Sequence, residues 1–168
     1  MRGLLFVSLA VAALAVVQVS AASDSWTDPA GDSHGAPDIR SLYLQNNWIG
    51  KKGWMSFQPS TGGFGPGTLT LEIDADSKAS TGAAGGSDYR VEWNVAGETM
   101  RLLRWNGSRF VAWKTPLVEP HFRGEPSVNI YVRAIGNPRT FRLWLHSTRR
   151  TASDRAPNRG YWTHEVPR

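Results

Sequence analysis

From Ile39 onward the chain alternates apolar and polar residues in short runs, separated by glycine, proline, asparagine and aspartate. A period of two sends successive side chains to opposite faces of a strand, and no stretch after the first 22 residues keeps the period of an amphipathic helix. Strands are therefore expected near 39–46, 54–58, 69–74, 89–95, 100–105, 110–114, 128–133, 141–148 and 161–166. Asn106-Gly107 between two such runs is a hairpin signal, and loops are expected at 60–67 and 115–126, which are rich in glycine and proline. About nine short strands with no helices between them make an all-β, two-sheet antiparallel β-sandwich.

The first 22 residues stand apart from this pattern. Arg2 precedes an uncharged apolar run from Leu4 to Val19, and Val19-Ser20-Ala21-Ala22 offers small residues to a signal peptidase. The run is shorter than the roughly 20 residues that span a bilayer comfortably, so a cleaved signal peptide is expected rather than an anchor. Residues 23–168 then form one secreted domain with no transmembrane segment. The chain has no cysteine, so stability must come from apolar burial or a bound ion rather than disulfides.

The net charge of +5 hides an asymmetry: Ser23–Met100 carries 5 basic and 10 acidic residues, Arg101–Arg168 carries 13 and 4. A basic second half suits anionic partners such as cell-wall polymers, acidic glycans or extracellular DNA; ordinary solvation by arginine is the alternative. Nucleic acid is the less favoured of these, because stacked aromatics and arginine serve sugar sites equally well.

Alternation puts Arg142, Trp144 and His146 on one face of their strand, and Asn129, Tyr131 and Arg133 on one face of theirs. If the two segments pair as a hairpin, Tyr131 stands opposite Trp144, Asn129 opposite His146, and Arg133 opposite Arg142. An aromatic pair framed by donors is what a saccharide platform requires, unless a loop covers Trp144. Trp54, which shares its face with Ser56 and Gln58, is the other tryptophan expected to be exposed; Trp93 and Trp113 belong to the core.

Asp74, Asp76 and Asp88 bracket the glycine-rich stretch Ser77–Ser87. Carboxylates and loop carbonyls are the ligands a hard cation such as calcium takes, although Lys78 adds an opposing charge; a solvated acidic loop is the alternative. The spacing is not that of an EF-hand. No enzyme chemistry stands out. His34, His121, His146 and His164 are scattered, no GxSxG elbow occurs, and the pairs Glu92/Glu98 and Glu119/Glu125 read as surface.

Asp-Pro-Ala-Gly-Asp at 28–32, Ala-Pro-Asp-Ile at 36–39, Ile-Asp-Ala-Asp at 73–76, Ser-Thr-Gly at 80–82 and Gly-Gly-Ser-Asp-Tyr at 85–89 occur in that order. Arg-Trp-Asn-Gly-Ser at 104–108 and Ala-Pro-Asn-Arg-Gly-Tyr-Trp at 156–162 follow. The set, from about Thr27 to Val166, resembles the DOMON-like, family-nine carbohydrate-binding-module-like β-sandwiches of secreted bacterial proteins. That resemblance implies a two-sheet sandwich, often with a structural calcium, sometimes with a face for sugars or, in certain branches, haem. Asp74, Asp76 and Asp88 would be the ion ligands, with Asp32 and Asp38 as possible neighbours; Lys78 departs from the Asn or Asp expected there. The expected function is a non-catalytic exported module binding an extracellular glycan or cell-wall polymer through Trp144, Tyr131, Arg142, Arg133, His146 and Trp54. A cell-envelope structural or protein-interaction module with no small ligand is the alternative.

Overall fold

A computed structural model describes residues 23–49, 52–63, 66–94, 99–114, 118–121 and 126–167. The expected signal peptide lies outside them, and no described helix is long and apolar enough to cross a membrane. The described chain is a sandwich of two antiparallel sheets. One sheet has five strands: β1 (Ser23–Thr27), β2 (Ile39–Ile49), β3 (Lys52–Thr61), β9 (Ser127–Tyr131) and β8 (Val118–His121), adjacent in that order. The other has seven: β11 (Ala152–Ala156), β10 (Thr140–Arg149), β4 (Thr68–Asp74), β5 (Tyr89–Asn94), β6 (Thr99–Trp105) and β7 (Phe110–Ala112), with β12 (Trp162–Glu165) pairing the first part of β10.

The inward positions of the alternation meet between the sheets. Leu42, Leu44, Met55, Phe57, Val128 and Ile130 come from the first sheet; Leu69, Leu71, Ile73, Val91, Trp93, Phe141, Leu143 and Leu145 come from the second, all fully buried. Phe57 and Phe141 touch across the interface, their ring centroids 6.4 Å apart. At one edge Trp26 stacks on Trp162 at 5.5 Å, and buried His164 bridges Asp24 (2.6 Å) and Asn46 (3.2 Å), tying β1 and β2 to β12. Farther along the same edge, where β11 takes over from β12 beside β10, the Ile39 N–H donates to Asp154 of β11, and the Ser147 hydroxyl donates to the Pro37 carbonyl.

The hairpin at Asn106-Gly107 forms, but Trp105 pairs with Phe110, which leaves a four-residue loop at 106–109. Asn106 Oδ1 accepts the N–H groups of Ser108 and Arg109, and Gly107 takes φ +98°. Strands β1, β8 and β11 lie where no strand was expected. β8 falls in the expected 115–126 loop, and β3 runs on through Ser60 and Thr61 into the one expected at 60–67.

One expectation about pairing is overturned. β9 and β10 do not form a hairpin: β9 pairs β3 and β8 in one sheet, while β10 pairs β4, β11 and β12 in the other. A short 3-10 turn (Val132–Ile135) and Gly136, in the left-handed region, carry the chain across the sandwich instead of reversing it in plane. Tyr131 therefore stands opposite Trp54, not Trp144, and Arg142 stands opposite Asp74, not Arg133.

Candidate functional site

The expected six-residue contact face is divided between the two outer surfaces. Arg142, Trp144 and His146 lie on the outside of the seven-stranded sheet; Trp54 and Tyr131 lie on the outside of the five-stranded sheet, with Arg133 just beyond.

On the seven-stranded side, Trp144 points outward yet is only 5% exposed. The glycine-rich loop between β4 and β5 folds back and lies on the indole, so closely that a Cβ at Gly85 would stand 3.3 Å from Trp144 Cζ2. The Arg155 guanidinium sits over the same ring at 5.9 Å. The indole N–H donates to His146 Nε2 at 3.1 Å, which places the imidazole proton on Nδ1; burial pushes the His146 pKa down and keeps the ring neutral. The expectation that Trp144 is exposed is thus corrected: the loop covers it.

The same loop explains its aspartates. Asp74, Asp76 and Asp88 do converge, with one oxygen from each within 4.8 Å of the others. Most of their oxygens are already served. Asp74, fully buried, makes an ion pair with Arg142 through Oδ2 and accepts the Lys78 N–H through Oδ1 at 3.1 Å. Asp76 Oδ1 accepts the same N–H at 2.9 Å and the carboxylate takes the Thr81 hydroxyl; Asp88 Oδ2 accepts the Ala75 N–H at 2.9 Å. These bonds wind the loop into successive turns around its own backbone donors.

The electrostatics agree with a neutralised staple. Burial pushes the Asp74 carboxyl up even with Arg142 attached. Burial also works against the charge of Arg142, but Tyr161 and Asp74 hold the guanidinium above its usual value. The two directions follow from depth: Asp74 is fully enclosed, whereas 12% of the Arg142 side chain reaches solvent. A divalent cation fits this set poorly, because it would have to share Asp74 with a guanidinium. Asp32 and Asp38 are not its neighbours; Asp32 belongs to a second cluster with Asp28 and Asp154, and Asp38 accepts the Gly31 N–H.

The five-stranded side is different. Its outward residues form rows across the strands: Ser25, Tyr43 and Gln58; then Ser23, Gln45, Ser56 and Asn129; then Asn47, Trp54 and Tyr131. Trp54 and Tyr131 touch at 6.1 Å with a 59° tilt, and the Arg133 guanidinium covers Tyr131 at 5.5 Å. Beside the rings, Asn47 Nδ2 donates to Ser56 Oγ (3.4 Å), which donates to Asn129 Oδ1 (2.5 Å). Among the described side chains these rows carry neither carboxylate nor cation. Glu119 comes into register beside Asn129 on the edge strand, and Arg133 is at the rim.

Tyr43, Gln45 and Asn47 belong to this face beyond the six expected residues, and the alternation Ser41-Leu-Tyr-Leu-Gln-Asn-Asn47 displays it. Of the carboxylates weighed as glycosidase pairs, Glu92 is held by Arg90 and Arg101. Glu98 and Glu125 lie outside the described residues, as does the side chain of Glu119. No family model, curated protein or solved structure matches the chain.

Proposed function

We propose that this chain is a non-catalytic exported module that binds an extracellular glycan or cell-wall polymer on the outer face of its five-stranded sheet. The observation that carries the reading is the half-buried Trp54–Tyr131 pair set beside the hydrogen-bonded Asn47–Ser56–Asn129 ladder. Ring faces offer apolar and C–H/π contact to a pyranose, and amides with hydroxyls exchange hydrogen bonds with its hydroxyl groups. From Trp54 to Gln58, opposite Tyr43, the strand advances by about 14 Å, so the aromatics stand at both ends of a run suited to a chain of sugars. The resemblance to secreted carbohydrate-binding β-sandwiches points the same way. Trp144 drops out of the contact face because the loop covers it, and Arg142 and His146 because they are engaged by Asp74 and by the indole N–H.

Affinity electrophoresis through soluble polysaccharides, with pull-down on insoluble cell-wall material, tests the proposal. Trp54→Ala and Tyr131→Ala should each weaken binding by about tenfold or more, the scale of losing a stacked aromatic anchor. Equal retention of both variants and wild type on every polymer removes the five-stranded face as the site.

A further inference from the structure

Asn106-Gly107 is the chain's single Asn-Gly step, and it stands at the exposed tip of the β6–β7 hairpin. One oxygen there collects three donors. Asn106 Oδ1 accepts the Ser108 N–H (3.0 Å), the Ser108 hydroxyl (3.1 Å) and the Arg109 N–H (3.0 Å). Among the described residues, Asn106 Nδ2 and the Gly107 N–H have no partner. The space beside Gly107 is open, since a Cβ there would meet nothing within 4 Å.

Three donors on one carbonyl oxygen draw electron density from Cγ. They already stand where negative charge would develop if Cγ were attacked. Bonds to residues two and three ahead fold the carboxamide back along its own backbone, toward the Gly107 nitrogen. Gly107 has no side chain to obstruct that approach. Residues 106–109 are all exposed, so water and hydroxide reach them. Asn158 is held differently: its side-chain amide donates to Asp32, and arginine follows it.

We infer that Asn106 is a self-modification site, converted by attack of the Gly107 nitrogen, and then by water, into aspartate and isoaspartate. First the Gly107 nitrogen gives its proton to hydroxide and bonds to Asn106 Cγ. The Cγ–Nδ2 bond then breaks, and Nδ2 takes a proton from water and leaves as ammonia. Water opens the resulting cyclic imide at one of its two carbonyls. One opening gives aspartate in a normal backbone; the other gives isoaspartate, whose backbone runs through Cβ and Cγ. The sum is amide plus water to acid plus ammonia, with nothing oxidised or reduced.

The two products treat the fold differently. Aspartate keeps an oxygen where Oδ1 stood and accepts the same donors. Isoaspartate lengthens the main chain by a methylene between Trp105 and Phe110, the pair that closes the hairpin. The Arg90 guanidinium lies over the Phe110 ring at 4.1 Å and also bonds to buried Glu72. Strand β7 has only three residues to hold this arrangement. The isoaspartyl branch therefore loosens the β7 edge of the seven-stranded sheet.

The test holds the intact protein in mildly alkaline buffer and follows it by peptide mapping, mass spectrometry and an isoaspartyl methyltransferase assay. Both products should accumulate at Asn106, while Asn129 and Asn158 stay unchanged. Ser108→Ala should slow the reaction by about fivefold, the scale of one hydrogen bond. Gly107→Ala should slow it by about tenfold or more, because a methyl group displaces the attacking nitrogen. Wild type unfolded in urea lacks the three donors and should react more slowly than the folded protein. Separated by ion exchange, the isoaspartyl species should melt below wild type and Asn106→Asp should melt with it. Asn106 left intact in the folded protein while the unfolded chain reacts overturns the inference, as does Ser108→Ala reacting at the wild-type rate. An isoaspartyl species that melts with wild type removes the loosened edge.

Discussion

Replacing Arg142 by methionine isolates the charge that holds the covering loop in place. Asp74 is 0% exposed, and its carboxylate has one guanidinium and one backbone N–H, that of Lys78, as partners. Methionine keeps much of the arginine stem's bulk but strands the carboxylate inside the protein. Removing one partner of a buried ion pair costs about 3–5 kcal/mol. In a domain of this size each kcal/mol moves the melting temperature by about 3 °C, so Arg142→Met should melt about 9–15 °C lower. Asp74→Asn added to Arg142→Met removes the stranded charge and should restore a large part of the loss, a coupling on the order of 2 kcal/mol. Urea denaturation and calorimetry of wild type, both single variants and the double variant at pH 7 give the cycle, with chelator present so that no cation replaces the arginine. An Arg142→Met protein within about 1 kcal/mol of wild type, or a double variant as unstable as the sum of the singles, refutes the reasoning.

Three further outcomes follow from the same geometry. Gly86→Ala should destabilise far more than Gly107→Ala: both positions have positive φ, but a Cβ at Gly86 would stand 2.7 Å from Asp74 Oδ2 and from the Lys78 carbonyl, whereas Gly107 faces open space. Gly107→Ala then shows the left-handed strain alone, about 1–2 kcal/mol, and equal melting points for the two variants would contradict the tight loop. Burial lowers the His146 pKa, so the unfolded chain binds the proton first; stability present above about pH 6.5 is lost as pH falls below it, and His146→Gln should flatten that part of the pH–stability curve. Phe57→Ala, which empties a fully buried ring position between the sheets, should cost about 3–5 kcal/mol by urea denaturation; a cost under about 1 kcal/mol would mean the sheets do not interlock there.

Much of the architecture is legible residue by residue. The alternation of Leu69-Thr-Leu-Glu-Ile73 and Phe141-Arg-Leu-Trp-Leu145 assigns each side chain to one face or the other, because a strand has no third option. Asn106-Gly107 announces its turn through the positive φ that glycine tolerates. β11 is silent, since its inward positions are Asp154 and Ala156, and neither shows an apolar rhythm. Nothing local says which sheet a strand joins: β9 and β10 are neighbours in the chain and lie on opposite sides of the core, because closing a second layer over Phe57 and Phe141 buries more apolar surface than extending one sheet would. Periodicity also stops at the strand's own surface. It aims Trp144 outward correctly, but only the return of the glycine-rich loop, stapled by Asp74, Asp76 and Asp88, decides that the ring never meets water. The same long-range folding brings Asp154 to Asp28 and Asp32 from the far end of the chain, a proximity set by closure of the sandwich edge and not by spacing along the backbone.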